Sequence, residues 1–226
     1  MLTFLKKQWP LLLTCLLLPG GLPGMERPLQ ILVFGDSLTA GYGLEDPPRQ
    51  AYPALLQEKI DTAGYAAEII PAGLSGESTA GGLTRINWVL RQPQGWPADV
   101  PFQIDILVLA LGGNDGLRNV ALEDTEANLL GIIARARARY PELRVLLAGV
   151  EMPVNWGECY REAFNAVYAR VAEQADAVLL PSLLKGIGDD PGLMQPDRIH
   201  PTVEGHQKMA ALVWAKLEPM LANLSK

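Results

Sequence analysis

Cysteine and histidine are scarce in this chain, two of each among 226 residues. Two cysteines allow at most one disulfide, so a disulfide framework is excluded. No His/Cys cluster and no carboxylate-rich loop offers the spacing of a metal site. Clusters of like charge are missing too. With 19 Lys and Arg against 25 Asp and Glu the net charge is −6, and no basic run gathers into a patch that would track nucleic-acid phosphates. Arg135, Arg137 and Arg139 come closest, but they alternate with Ala inside a helical pattern and read as a solvated helix face. Internal repeats, low-complexity tracts and a linker that would separate one domain from another are absent. Gly112-Gly113 lacks the following Lys and Ser/Thr of a phosphate-binding loop. The G-x-S-x-G elbow of α/β-hydrolases is absent around Ser37.

What is present is apolar. Hydrophobic residues make up 49% and charged residues 19% of the chain, which suits one globular domain with a sizeable core. The first two dozen residues follow a different logic: Lys6 and Lys7 precede the apolar segment Trp9 to Leu18, and Pro19-Gly20-Gly21-Leu22-Pro23-Gly24 breaks it. Residues 1–24 therefore read as a signal peptide and residues 25–226 as the mature domain, exported to the periplasm or secreted. The apolar run is about ten residues long, too short for a helix to span a bilayer of about 30 Å, so no stable membrane anchor is expected. No clear A-x-A cleavage site follows, and translation from Met25 would instead give a cytoplasmic form. Removing the leader takes away Lys6, Lys7 and Cys15 and leaves Cys159 as the only cysteine, so no intramolecular disulfide forms. Cys15 follows Leu12-Leu13-Thr14, without the small residues expected before a lipid-modified cysteine.

Beyond the leader, apolar strand-like runs alternate with longer helical segments. Candidate strands are Gln30 to Phe34, Ala66 to Ile70, Ile104 to Leu109, Arg144 to Gly149 and Ala177 to Leu180. Their continuous apolar character suits strands covered on both faces. Helical segments fall around Tyr52 to Ala63, Thr79 to Leu90, Thr125 to Tyr140, Cys159 to Gln174 and Val203 to Leu221. The alternation predicts an α/β domain with a five-stranded parallel sheet and right-handed crossovers.

In such sheets the loops leaving the carboxyl ends of the strands form the ligand crevice. The chemically informative residues sit there. Ser37 follows the first strand, Gly76 the second, Gly112-Gly113-Asn114-Asp115 the third, and Asp197 and His200 the fifth. Acyl transfer needs a nucleophile, a base, a group that orients the base, and donors for the oxyanion. Ser37 is the candidate nucleophile, His200 the base and Asp197 its orienter. Backbone N–H groups of Ser37 and Gly76, with the Asn114 amide, are the candidate oxyanion donors, since Gly76 permits close backbone approach and Asn114 is a neutral donor. His200 must be neutral to accept the proton, so activity is expected to fall on acidification.

Each residue also has a structural reading. Ser37 alone would serve as an N-cap. Asp197 and His200 would make a loop pair before a helix capped by Thr202, and Gly76 and Asn114 would suit turns. Their joint appearance behind successive strands favours the functional reading. Asp36 reads as local support for its loop. His206 falls among Glu204, Gln207 and Lys208 in the last helical pattern and is expected to face solvent. Leu117, Val154 and Trp156 are candidate walls of an acyl groove, and would equally well cover the core.

Four blocks carry a resemblance to a known family: Phe34-Gly35-Asp36-Ser37-Leu38-Thr39-Ala40-Gly41-Tyr42, Ser75-Gly76-Glu77-Ser78 with Gly81-Gly82-Leu83, Leu111-Gly112-Gly113-Asn114-Asp115-Gly116-Leu117-Arg118, and Asp197-Arg198-Ile199-His200-Pro201. They resemble the SGNH, or GDSL, hydrolases, whose blocks centre on Ser, Gly, Asn and His, and most of all the bacterial periplasmic thioesterase, lysophospholipase and arylesterase type. The resemblance implies a flavodoxin-like three-layer α/β/α sandwich and no cofactor. It also implies a serine esterase acting on a small-molecule acyl ester, thioester or lysolipid. One departure is Arg198, where the last block often has Gly. Two other functions stay open: a carbohydrate O-acetylesterase, and a lipid- or glycan-binding module without turnover. A monomer is expected, although the sequence does not itself decide the oligomeric state.

Overall fold

Runs of branched and aromatic apolar residues such as Ile31-Leu32-Val33-Phe34 exclude water best when both faces of a strand are covered. In the computed structural model, which describes residues 27–96, 100–153 and 156–224, they form the middle of a sheet. The expected signal peptide and Val154 lie outside the described residues. The elements run β1 (Leu29–Gly35), α1 (Ser37–Ala40), α2 (Pro47–Gln50), α3 (Tyr52–Ala63), β2 (Ala67–Gly73) and α4 (Thr79–Val89). They continue with β3 (Ile106–Ala110), α5 (Gly113–Leu117), α6 (Leu122–Arg139), β4 (Arg144–Ala148), α7 (Glu158–Gln174), β5 (Val178–Leu180) and α8 (Val203–Leu224).

The five strands are all parallel, in the order β2-β1-β3-β4-β5. Helix α3 packs against α8, while α4, α6 and α7 pack in a row, giving the expected layers on either side of the sheet. Ile31 to Phe34 and Ile106 to Leu109 are fully buried. Each such side chain contributes roughly 1.5–3 kcal/mol of transfer free energy.

This strand order reverses direction between β1 and β3, and an open parallel sheet has its crevice at that point. Register sharpens it, because Gly35 at the end of β1 pairs with Gly73 of β2 and Ala110 of β3. Three strands thus end at one level, and the loops bearing Ser37, Gly76 and Asn114 leave side by side. Gly35 is required there: a Cβ would stand 2.0 Å from Thr39 Oγ1 and 2.8 Å from the Ala110 carbonyl, because α1 folds back over the strand end.

Most expected boundaries agree with the structure within a few residues. β2 runs three residues past its expected end, through Pro71, because an edge strand tolerates a residue without an N–H. β3 starts two residues late: the Asp105 carboxylate takes the Gln30 N–H at 2.8 Å and pairs with Arg27. The short helices α1, α2 and α5 carry too few residues for a period to show.

The expectation for His206 is corrected. It is only 1% exposed, on the face of α8 that also buries Met209, Ala210, Val213 and Leu217. The apolar spacing of that helix therefore includes position 206, despite its polar neighbours in sequence. Arg135 and Arg139 are exposed as expected, but Arg137 is half-buried and donates to the Ala175 carbonyl at the end of α7.

Candidate active site

Nucleophile presentation begins with Asp36. It is the N-cap of α1, its side chain accepting the Leu38 N–H at 3.0 Å, so the Ser37 hydroxyl is not spent on capping. Ser37 Oγ lies 2.9 Å from His200 Nε2, and His200 Nδ1 lies 2.7 Å from Asp197 Oδ2. A carboxylate can only accept from Nδ1–H, which leaves the Nε2 lone pair toward the hydroxyl.

The loop that carries His200 is closed by an antiparallel bridge between Met194 and Pro201. Within it Asp197 Oδ1 accepts the N–H groups of Ile199 and His200 at 2.9 and 3.0 Å. Burial pushes the Asp197 carboxyl up, but these bonds and the His200 ring outweigh it and hold the group below its ordinary value. Thr202 accepts the Gly205 N–H at 3.3 Å and so caps α8 directly behind the loop. Arg198 has φ +57°, a left-handed conformation that costs a Cβ-bearing residue and suits the glycine common at this place in the motif.

The other two blocks are tied down by buried charge. Asp115 accepts from the Thr79 N–H at 2.8 Å and from its hydroxyl, fixing the start of α4 just after the Gly76 loop. Glu77, next to Gly76, pairs with Arg85, whose guanidinium also lies over the Phe34 ring. Gly76 has φ +79° and is exposed, and the Arg118 guanidinium donates to its carbonyl at 3.0 Å. Among the described residues no hydrogen-bond partner is found for the Ser37 and Gly76 N–H groups.

Two acceptors lie within reach of the Asn114 amide nitrogen. Nδ2 donates to the Glu77 carbonyl at 3.1 Å and to Asp36 Oδ2 at 3.3 Å. Burial pushes the Asp36 carboxyl up to about 6, against the pull of the Leu38 N–H, the His200 charge and Asn114. Asp36 does support its loop as expected, and it also reaches a second loop 78 positions away.

Ser37, Gly76, Asn114, Asp197 and His200 thus share one end of the sheet. Leu117 closes α5 three residues after Asn114 and is 36% exposed. Trp156 is half-buried, packs against the core, and lies 5.6 Å ring to ring from Tyr160 of α7. Two residues at the site escaped the sequence reading. Tyr42 lies 4.5 Å ring to ring from His200, and Gln195 donates to the carbonyls of Tyr42 and Pro201, clamping the loop after α1 to the His200 loop. Tyr42 ends the first motif block, a signal that could have found it; Gln195 carries none. Among the described residues no group of His, Cys, Asp or Glu is placed to hold a metal ion, and no helix is long and apolar enough to cross a membrane.

The chemistry this arrangement permits agrees with the proteins it resembles. The esterase TesA of Pseudomonas aeruginosa is 39% identical over 191 residues, covering 84% of this chain and 89% of the relative. The Escherichia coli K12 protein named thioesterase 1/protease 1/lysophospholipase L1 is 33% identical over 192 residues, 84% of each chain. A crystal structure of TesA matches with a TM-score of 0.76 at 37% identity, over 84% of this chain and 98% of that one. Residues 33–208 match the family model itself, and the chain belongs to the GDSL-like lipase/acylhydrolase family.

Proposed function

We propose that this serine ester hydrolase cleaves carboxylic esters and thioesters of apolar acyl chains, lysolipids among them, through an acyl-enzyme intermediate. The observation that carries the reading is the chain Ser37 Oγ–His200 Nε2 at 2.9 Å and His200 Nδ1–Asp197 Oδ2 at 2.7 Å. Ser37 Oγ attacks the carbonyl carbon while its proton passes to Nε2 of His200. The tetrahedral oxyanion is received by the N–H groups of Ser37 and Gly76 and by the Asn114 amide. Collapse expels the alkoxide or thiolate, which leaves with the proton from His200. Water then repeats the sequence against the acyl-enzyme, with His200 again the base, and frees the carboxylic acid. Asp197 holds the ring in the required tautomer and stabilises the imidazolium.

Leu117, Val154 and Trp156 are assigned to the acyl-chain wall, and Tyr42 and Ile199, exposed beside His200, extend it. The names of the two relatives support ester, thioester and lysophospholipid substrates. Residues 1–24 are assigned as a cleaved leader and 25–226 as the hydrolase domain, which would place the enzyme in the periplasm. Every group the reaction needs comes from one chain, so a monomer suffices.

A kinetic panel that crosses acyl length with leaving group, oxygen ester against thioester, tests the reading. Turnover of medium and long acyl substrates, with Ser37 labelled by a fluorophosphonate probe, is the expected result. No turnover of any of them by pure protein would sink it, and a confinement to acetyl esters would remove the acyl wall.

A further inference from the structure

Asp36 is buried at the base of the site, and acyl transfer by Ser37 and His200 gives it no step. Its two oxygens do different things. Oδ1 caps α1 through the Leu38 N–H at 3.0 Å and so shapes the turn that presents Ser37. Oδ2 accepts from Asn114 Nδ2 at 3.3 Å and lies 3.6 Å from where a Cβ on Gly113 would stand, so the carboxylate runs beneath the Gly113–Asn114 backbone.

Asn114 is an amide with one donor end and one acceptor end, and the two ends are nearly the same size. Which end lies on the side of the Ser37 and Gly76 loops is decided by its neighbours. Two acceptors, Asp36 Oδ2 and the Glu77 carbonyl, face Nδ2. A flipped amide would set its oxygen against a carboxylate and a carbonyl, and would offer an oxyanion nothing. The carboxylate is the stronger discriminator, because it is ionic, buried and lacks any donor of its own. The bond to Asp36 is also the longer of the two, so its hydrogen is the one a developing oxyanion can share.

We propose that Asp36 is a positioning residue for the oxyanion site: its carboxylate, acting through Asn114, selects the amide orientation that offers N–H rather than C=O to the reacting carbonyl oxygen. The proposal rests on the acyl-transfer reading of this site. Burial raises the Asp36 carboxyl, the His200 charge opposes that rise, and Asp36 in turn adds to the burial that pushes the Tyr52 and Tyr168 hydroxyls up.

Two substitutions separate this role from helix capping. Asp36→Ser keeps a capping oxygen for Leu38 but is too short to reach Asn114. Asp36→Asn keeps Oδ1 for the cap and turns an NH2 toward Asn114. Both are expected to lower kcat by roughly 10²-fold with KM within about twofold, the signature of a lost oxyanion donor. In an Asn114→Ala background, Asp36→Asn is expected to add nothing further, because the group it acts through is gone. Near-normal kcat in either single variant, or an undiminished extra loss in the Asn114→Ala background, overturns the proposal. Ser37→Ala, measured alongside, keeps the two ideas apart: normal turnover there ends the acyl-transfer reading, whereas a dead Ser37→Ala beside an active Asp36→Asn ends only this proposal. Should the Asp36 variants not fold, NMR of the unaltered protein from about pH 4 to 8 carries the test. The Asp36 carboxyl carbon and the Asn114 side-chain nitrogen must then titrate with one shared midpoint, and an Asn114 signal that stays still or follows only His200 overturns the proposal.

Discussion

The backbone N–H of Tyr52 donates to Nδ1 of His206 at 3.2 Å, so α8 supplies the acceptor for a helix-start donor of α3 from 154 positions away. The N-cap of α3, Ala51, has no side chain to do this, and Pro53 brings no N–H. A buried histidine used as an acceptor must stay neutral, and burial, helped by the His200 charge, pushes His206 down to about 4.

Acid stability follows from that value. The unfolded chain takes up this proton near pH 6.5, whereas the folded protein resists it until about pH 4. The contribution of neutral His206 is complete above about pH 6.5 and is lost as pH falls toward 4, on the order of 3 kcal/mol in all. Urea unfolding of the wild type and of His206→Gln at a series of pH values reads the difference. Asp36, raised to about 6, acts with the opposite sign in much the same window, but it is common to both proteins and drops out of the comparison. Parallel pH curves for the two proteins would refute the assignment.

Removing the hydroxyl or the imidazole should abolish covalent chemistry without disturbing the core. Ser37→Ala and His200→Ala are each expected to lower kcat by roughly 10³-fold or more, and the double variant to lose little beyond the worse single one. Steady-state kinetics on a chromogenic ester provide the measurement, with thermal melts within a few degrees of wild type as the control. Additive losses would mean that the two groups do not act as a unit.

Arg198→Gly is expected to raise stability by about 0.5–1 kcal/mol. Relief of the left-handed backbone outweighs the greater freedom of glycine in the unfolded chain. Chemical denaturation reads the gain, and a loss of stability would show that the arginine side chain holds something worth more than the strain.

Gly35→Ala tests the level at which the strands end. The added methyl meets Thr39 Oγ1 of α1 and the Ala110 carbonyl at the end of β3, so α1 or that strand end must shift. A destabilisation of roughly 1–3 kcal/mol is expected, with a fall in kcat because Ser37 moves with α1. An unchanged melting curve with unchanged kcat would show that α1 is free to adjust.

Much of this was legible in the sequence, and particular residues show why. The Ile31 to Phe34 run reads as a covered strand because its own composition demands it, and the Tyr52–Ala63 helix agrees with its expected bounds. Ser37, Gly76 and Asn114 stand out because each lies shortly behind an apolar run, a position readable from the local sequence alone. His206 departs from its sequence pattern for the opposite reason: its neighbours Glu204, Gln207 and Lys208 are polar, and only the packing of α8 on α3 turns that one side chain inward. Val178, expected within a covered strand, is 38% exposed because β5 is an edge.

Composition, periodicity and motif order by themselves determined the α/β class, the number of strands, the long helices and the chemical types available at each strand end. Tertiary structure alone decided the distances and the partners. It chose Asp36 rather than Ser37 as the cap, bound Asn114 to both Asp36 and Glu77, and set Tyr42 and Gln195 against the His200 loop. The physical reason is range. Backbone preference and apolar period are carried by neighbours along the chain. Burial of a polar side chain and the orientation of an amide depend on groups that only the packed sheet brings within a few ångströms.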